Sequence, residues 1–224
     1  MKQRQNSALS ILAGLGILGI SLALPAAAAP APASDGLVPI ASRTLDEVYL
    51  RPATDFQGYR RVIVEPGQVA LRKGWLKSIN ATRGPSRWLV QQDAQDITDA
   101  AAVSLSKTVA ETFRARGYEV VTAPAPGVLR VTPRVTDLTV NAPDIASANM
   151  QALYSVDAGE ATLTMEIRDA VSGALLGQIV DRGTAHELSP RINRTFSVTN
   201  AFWFDALFTR WTNNCIADLE SARL

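Results

Sequence analysis

The sequence predicts an α+β fold, a two-layer sandwich in which a mainly antiparallel sheet of about five strands is covered by two amphipathic helices. Three observations carry this prediction. Residues 91–116 repeat apolar side chains every four positions (Ile97, Ala101, Leu105, Val109, Phe113), with Ala102 and Ala110 widening the stripe, which is one face of a helix. Residues 199–223 carry a second broad face of Phe204, Leu207, Phe208, Trp211, Cys215, Ile216 and Leu219. Between them, residues 160–169 alternate Ala161, Leu163, Met165 and Ile167 with Glu160, Thr162, Thr164, Glu166 and Arg168. A strand with one buried and one wetter face reads this way, and amphipathic cover on one side of a sheet gives two layers.

The remaining elements follow in chain order. Residues 61–71, Arg-Val-Ile-Val-Glu-Pro-Gly-Gln-Val-Ala-Leu, read as a first strand bent or bulged at Pro66-Gly67. Residues 72–89 read as a loop. The first long helix has Asp93 and Asp96 near its start and Arg114 and Arg116 near its end, complementing the helix dipole, and Gly117 is its stop. Residues 118–122 form a short strand. In residues 128–140, Leu129, Val131 and Val135 share one parity, but Leu138 and Val140 share the other. A one-residue slip would flip every side chain, so a bulge is predicted near Thr136-Asp137. Residues 141–159 are a longer connection. A turn at Ser172-Gly173 makes residues 160–169 and 174–185 an antiparallel hairpin. Thr199 or Asn200 is the predicted cap of the last helix.

The N-terminus has a different character. Lys2 and Arg4 precede an uncharged apolar run over residues 8–24, then Pro25 and the small residues of 26–33. A positive start, an apolar middle and a small-residue exit make residues 1–29 a secretory signal. Ala26 and Ala28 satisfy the A-x-A rule for a cut after Ala28, with Ala31 and Ala33 the second choice. The apolar run is shorter than the roughly 20 residues that span a bilayer, so no stable transmembrane span is expected after cleavage. Gly14, Gly16 and Gly19 match G-x-G-x-x-G without the strand–turn–helix setting of a nucleotide site. Residues 30–46, rich in Ala, Pro and Ser, read as a flexible leader, with order beginning near Val48 in a single domain over 47–224.

Composition narrows the function classes. The 22 Lys and Arg lose two with the signal, leaving 20 against 21 Asp and Glu, so there is no basic footprint for nucleic acid. A single cysteine excludes an intrachain disulfide, and a domain of this length buries enough surface to fold without one. Cys215 sits on the apolar face of the last helix and reads as a buried, inert thiol.

Val48-Tyr49-Leu50-Arg51-Pro52, Asp55-Phe56-Gln57-Gly58-Tyr59 and the following strand to Pro66 have a recognisable cadence. Together with Asp169-Ala-Val-Ser-Gly-Ala-Leu-Leu and the last helix with Trp211, they resemble the proteobacterial envelope family filed as domain of unknown function 3313, over roughly residues 45–222. The resemblance implies an exported, often lipid-anchored domain with no assigned chemistry. This chain lacks the cysteine that lipid-anchored members carry after the signal, so outer-membrane association has no lipid-attachment residue here.

Candidate chemistry is sparse. His186, the single histidine, could form a triad with Asp181 and Ser189, but no G-x-S-x-G elbow supports it. Asp93, Asp96 and Asp99 could face a hard cation, although acids at a helix start are ordinary. No metal set or cofactor motif is present in the sequence. Asn80 and Asn193 open glycosylation sequons that a bacterial signal makes irrelevant. The constellation with binding character is Arg72, Lys73, Trp75, Lys77, Arg83, Arg87 and Trp88, cations to hold an anionic group beside aromatic rings that stack on a sugar or meet a lipid headgroup boundary. The sequence therefore points to an exported periplasmic or cell-envelope binding module, periplasmic or secreted, without enzymatic activity, whose partner is an envelope protein or a glycan or lipid component. The alternative is an envelope-acting hydrolase using His186, and a third is an oligomeric assembly subunit.

Overall fold

The structure, a computed structural model, describes residues 36–141, 157–186 and 197–222, with side chains over 36–141, 159–185 and 203–222. The segment read as a secretory signal, the glycine motif, most of the 141–159 connection, Ser189, Asn193 and the side chain of His186 lie outside the described residues.

The alternation in the sequence becomes three long neighbouring strands, β6 (Val128–Leu138), β7 (Asp157–Asp169) and β8 (Leu175–His186), paired antiparallel. The turn between β7 and β8 forms where predicted. The Asp169 carboxylate accepts from Val171 N (3.1 Å), Ser172 N (2.7 Å) and Ser172 Oγ (2.8 Å), and Gly173 takes φ +71°. Those bonds, the Ser172 backbone N–H foremost, hold the Asp169 carboxyl below its usual range. Leu129, Val131, Val135, Leu163, Met165, Ile167 and Ile179 are all buried on one face, against α2 (Gln91–Ala115) and α3 (Ser197–Ser221). Arg130, Arg134, Glu166 and Arg168 occupy the opposite face, where they join in ion pairs and stay partly exposed. The two-layer α+β architecture is as the sequence predicts.

The sheet has eight strands, not about five. The order is β1-β2-β8-β7-β6-β3-β5, with β4 also paired to β6. Two of the additional strands come early. β1 (Val38–Ile40) pairs β2 (Glu47–Leu50), which pairs β8. Order therefore begins inside the segment read as a leader, before Val48. A three-residue edge strand containing proline has no periodicity to betray it; it forms because β2 offers it an edge. The other additional strand arises from the Pro66-Gly67 bend. β3 (Arg61–Val64) and β4 (Gln68–Leu71) lie along the same side of β6, parallel to it. Between Val64↔Val131 and Gln68↔Arg134 the first chain uses one residue more than β6, which is the predicted bulge drawn out into a break. β5 (Glu119–Val120) closes the far edge beside β3. The predicted β6 bulge is also present: the register shifts between Val69 and Leu71 opposite β6, and Asp137 takes φ +51°. This restores Leu138 to the helix-covered face, where it is buried.

The helices match their predicted spans closely, with one correction. α3 starts at Ser197, so Thr199 and Asn200 lie within it and are not its cap. Gly117 stops α2 with φ +89°. Cys215 is fully buried with its Sγ 3.5 Å from Met165 Sδ, and burial pushes its thiol up.

Gly67 is where α2 comes closest to the sheet break. Its N–H donates to Ser106 Oγ (2.7 Å), and a Cβ there would stand 2.9 Å from the carbonyl oxygen of Ala102, part of the helix backbone. Gly67→Ala is therefore expected to lower stability by about 1–3 kcal/mol, the usual penalty for overpacking. Urea unfolding followed by circular dichroism checks this.

Candidate binding surface

The stretch read as a loop contains a helix. β4 leads through Gly74, at φ +80°, into α1 (Trp75–Ala81). Seven residues are too few to display a helical repeat, though Trp75, Leu76 and Ile79 do mark an apolar side. Trp75 is 5% exposed, and its Nε1 donates to Val140 O (3.2 Å) at the exit of β6. The structure thus corrects its place among the candidate ligand-contacting residues: Trp75 is a core plug that fastens α1 to the sheet.

Behind α1 the chain is clamped by one amide side chain. Asn80 Nδ2 donates to Leu89 O (2.9 Å), and Leu89 N donates to Asn80 Oδ1 (2.8 Å). The pair fixes Leu89 as a rung of a ladder would, with its side chain buried at 4% exposure. The backbone around it is extended, with ψ 136° at Trp88 and ψ 174° at Val90. In extended backbone neighbouring side chains point opposite ways. With Leu89 inward, Trp88 and Val90 are directed outward, at 58% and 59% exposure. Trp88 is not loose: its Nε1 donates to Arg83 O (3.2 Å), across the short 3₁₀ turn Pro85–Arg87. The same Asn80 amide makes its sequon side chain part of the fold.

The cations of the predicted constellation surround this ridge in the chain. Lys73, Lys77 and Arg87 are exposed, Arg83 is half-buried and reaches Arg87 O (3.4 Å), and Arg72 pairs with Glu160 across to β7 (3.0 Å). Between Glu65 and Asp93 the chain has no acidic residue. Asp93, the first acid after it, accepts from Val90 N (2.7 Å) and so starts α2. Asp96 and Asp99 accept from Gln92 and Gln95 at one-turn spacing (2.7 and 2.8 Å). The three acids considered for a cation are thus engaged in helix-start and side-chain hydrogen bonds.

Asp181, the acid of the triad reading, is built into the fold. Asp181 is 7% exposed and faces the helices, accepting from Asp46 N (2.9 Å) and from Trp211 Nε1. Both of its oxygens are engaged in holding the fold. Burial pushes its carboxyl above the usual range, with Asp46's charge adding to the rise and the two hydrogen bonds and Arg210 opposing it. A groove of about 550 Å³ between α2 and α3 is lined by small and short polar side chains such as Ala100, Ser104, Thr108 and Thr209 together with the charged Lys107 and Glu111; Ser104 Oγ donates to the Asp205 carboxylate across it.

The arrangement defines a class: a one-sided α+β sandwich carrying a rigid aromatic ridge in a cationic stretch. The chain belongs to the family described as protein of unknown function DUF3313, whose model matches residues 30–206. No curated protein matches it. Among solved structures it is similar to the PelC dodecamer from Paraburkholderia phytofirmans, at 16% identity over 79% of this chain and 96% of that one, with a TM-score of 0.39. It is also similar to a DUF330 protein from Xanthomonas campestris, at 13% identity over 75% and 88% with a TM-score of 0.37. A DUF4136 family protein from Bacteroides thetaiotaomicron follows at 10% identity over 83% and 98%, with a TM-score of 0.34. Among the described residues no helix is long and apolar enough to cross a membrane.

Two expectations follow. Trp75→Ala should cost about 3–5 kcal/mol, the range for emptying a buried aromatic site, whereas Trp88→Ala should stay within about 0.5 kcal/mol; denaturant melts of the two variants check the contrast. Asp181, with its folded-state pKa raised, stabilises the fold fully below the unfolded carboxyl value of about 4 and loses that contribution as pH rises through the raised value. Asp181→Asn should remove this decline from a plot of unfolding free energy against pH.

Proposed function

We propose that this protein is an exported cell-envelope binding module without enzymatic activity, and that it makes contact through Trp88 and the cations Lys73, Lys77, Arg83 and Arg87. The observation that carries the proposal is Trp88 held more than half exposed on a fixed backbone. A large aromatic left in water forgoes burial energy, and an anchored one has already lost the freedom that binding would otherwise cost. Aromatic and arginine side chains are the ones that dominate binding energy at interfaces. Export rests on the cation-led apolar head and its small-residue exit.

The test is binding of the purified protein to an isolated envelope fraction of its host. Trp88→Ala should lower retention about tenfold, the ordinary loss for an aromatic anchor, with the circular dichroism spectrum unchanged. Equal retention of wild type and variant would remove this surface as the contact. Intact mass of the native protein tests export: a mature N-terminus near residue 29 is expected, and an intact Met1 chain in the cytosolic fraction contradicts it.

A further inference from the structure

We propose that the Trp88–Val90 ridge is a membrane-docking face that rests on the headgroup boundary of an anionic bilayer; this deepens the preceding reading and depends on it. Three observations favour lipid over a glycan or a protein partner.

The first is the hydrogen-bond state of the ridge. Trp88 Nε1 is already bonded to Arg83 O, and the Asn80 amide is closed on Leu89 in both directions. A glycan hydroxyl would find the indole N–H already taken. For an apolar boundary the closure is an advantage, because the indole enters without leaving a donor unsatisfied. The second is the pairing of apolar side chains. Trp88 and Val90 are both exposed, on the same side of an extended segment whose intervening Leu89 is buried. Tryptophan is enriched at membrane–water interfaces for this mixed character. The third is charge. Lys73, Lys77, Arg83 and Arg87 follow one another in sequence with no acid between Glu65 and Asp93, against the one carboxylate at the ridge, that of Asp93 on Val90 N, and a cation near an anionic surface contributes attraction that salt screens. Lysine and arginine stems are long enough to keep their charges at headgroup level while the ridge sits deeper. With one aromatic and one aliphatic anchor the contact is weak and reversible.

The experiment is flotation of the purified protein with vesicles of phosphatidylcholine alone and of phosphatidylcholine mixed with phosphatidylglycerol. Binding to the mixed vesicles should exceed binding to phosphatidylcholine and fall as salt is raised. Trp88→Ala should reduce the partition coefficient about tenfold. Lys77→Gln and Arg87→Gln should each reduce it about fivefold, the equivalent of one cation's attraction. Wild-type emission should shift to the blue on adding mixed vesicles, and Trp88→Phe should abolish the shift. Absence of flotation, or flotation indifferent to Trp88→Ala, overturns the proposal. If vesicles are ignored while Trp88→Ala still impairs retention on the envelope fraction, the lipid assignment falls and the binding-module reading stands. If neither assay responds to Trp88→Ala, both fall.

Discussion

Everything in this structure depends on the two-residue repeat of extended backbone. Along β6, β7 and β8 it sends Leu129, Val131, Leu163, Met165, Ile167 and Ile179 toward α2 and α3 and leaves arginines, glutamates and threonines on the other side. A slip of one residue would reverse the two sets, so the chain corrects its own phase at the Asp137 bulge. The same rule operates on three residues before α2. There it places Leu89 in the core and therefore turns Trp88 and Val90 to the outside. Core and candidate surface are consequences of one geometric constraint.

A second constraint ties the layers together at a single carboxylate. Two backbone-to-carboxylate bonds link the start of β2 to β8, since Asp46 N donates to the Asp181 carboxylate (2.9 Å) and Arg182 N donates to Asp46 Oδ2 (3.0 Å). Asp181 also takes the indole N–H of Trp211 from α3. One buried acid thus joins the first strands, the last strand and the last helix. Gly183, two residues on, carries no side chain, and a Cβ there would meet Leu207 Cδ1 at 2.8 Å. The helix sits close on β8 because that position is bare.

Much of this was legible in the residues, and the limits have physical reasons. α2, α3, the β7–β8 hairpin and both irregularities near Pro66 and Asp137 announce themselves through long periodic patterns or breaks in phase. β1 and α1 do not. Val38-Pro39-Ile40 is too short to alternate visibly, and it is a strand because Tyr49 and its neighbours offer an edge. α1 is about two amphipathic turns, below the length at which a helical repeat rises above chance. The candidate site was partly legible. Its cations and both tryptophans stand out by composition, but sorting Trp75 from Trp88 needs the long-range acceptor Val140 O and the Asn80–Leu89 clamp. Nothing local in the sequence records either one.

The central claim is that one tryptophan of four is held out in water by design of the backbone while Trp75, Trp203 and Trp211 are buried. Iodide quenching of intrinsic fluorescence measures this directly on the folded protein. The account predicts a single accessible emitter, red-shifted relative to the rest, that disappears in Trp88→Phe and leaves emission that iodide barely touches. An accessible fraction that survives Trp88→Phe unchanged would contradict it.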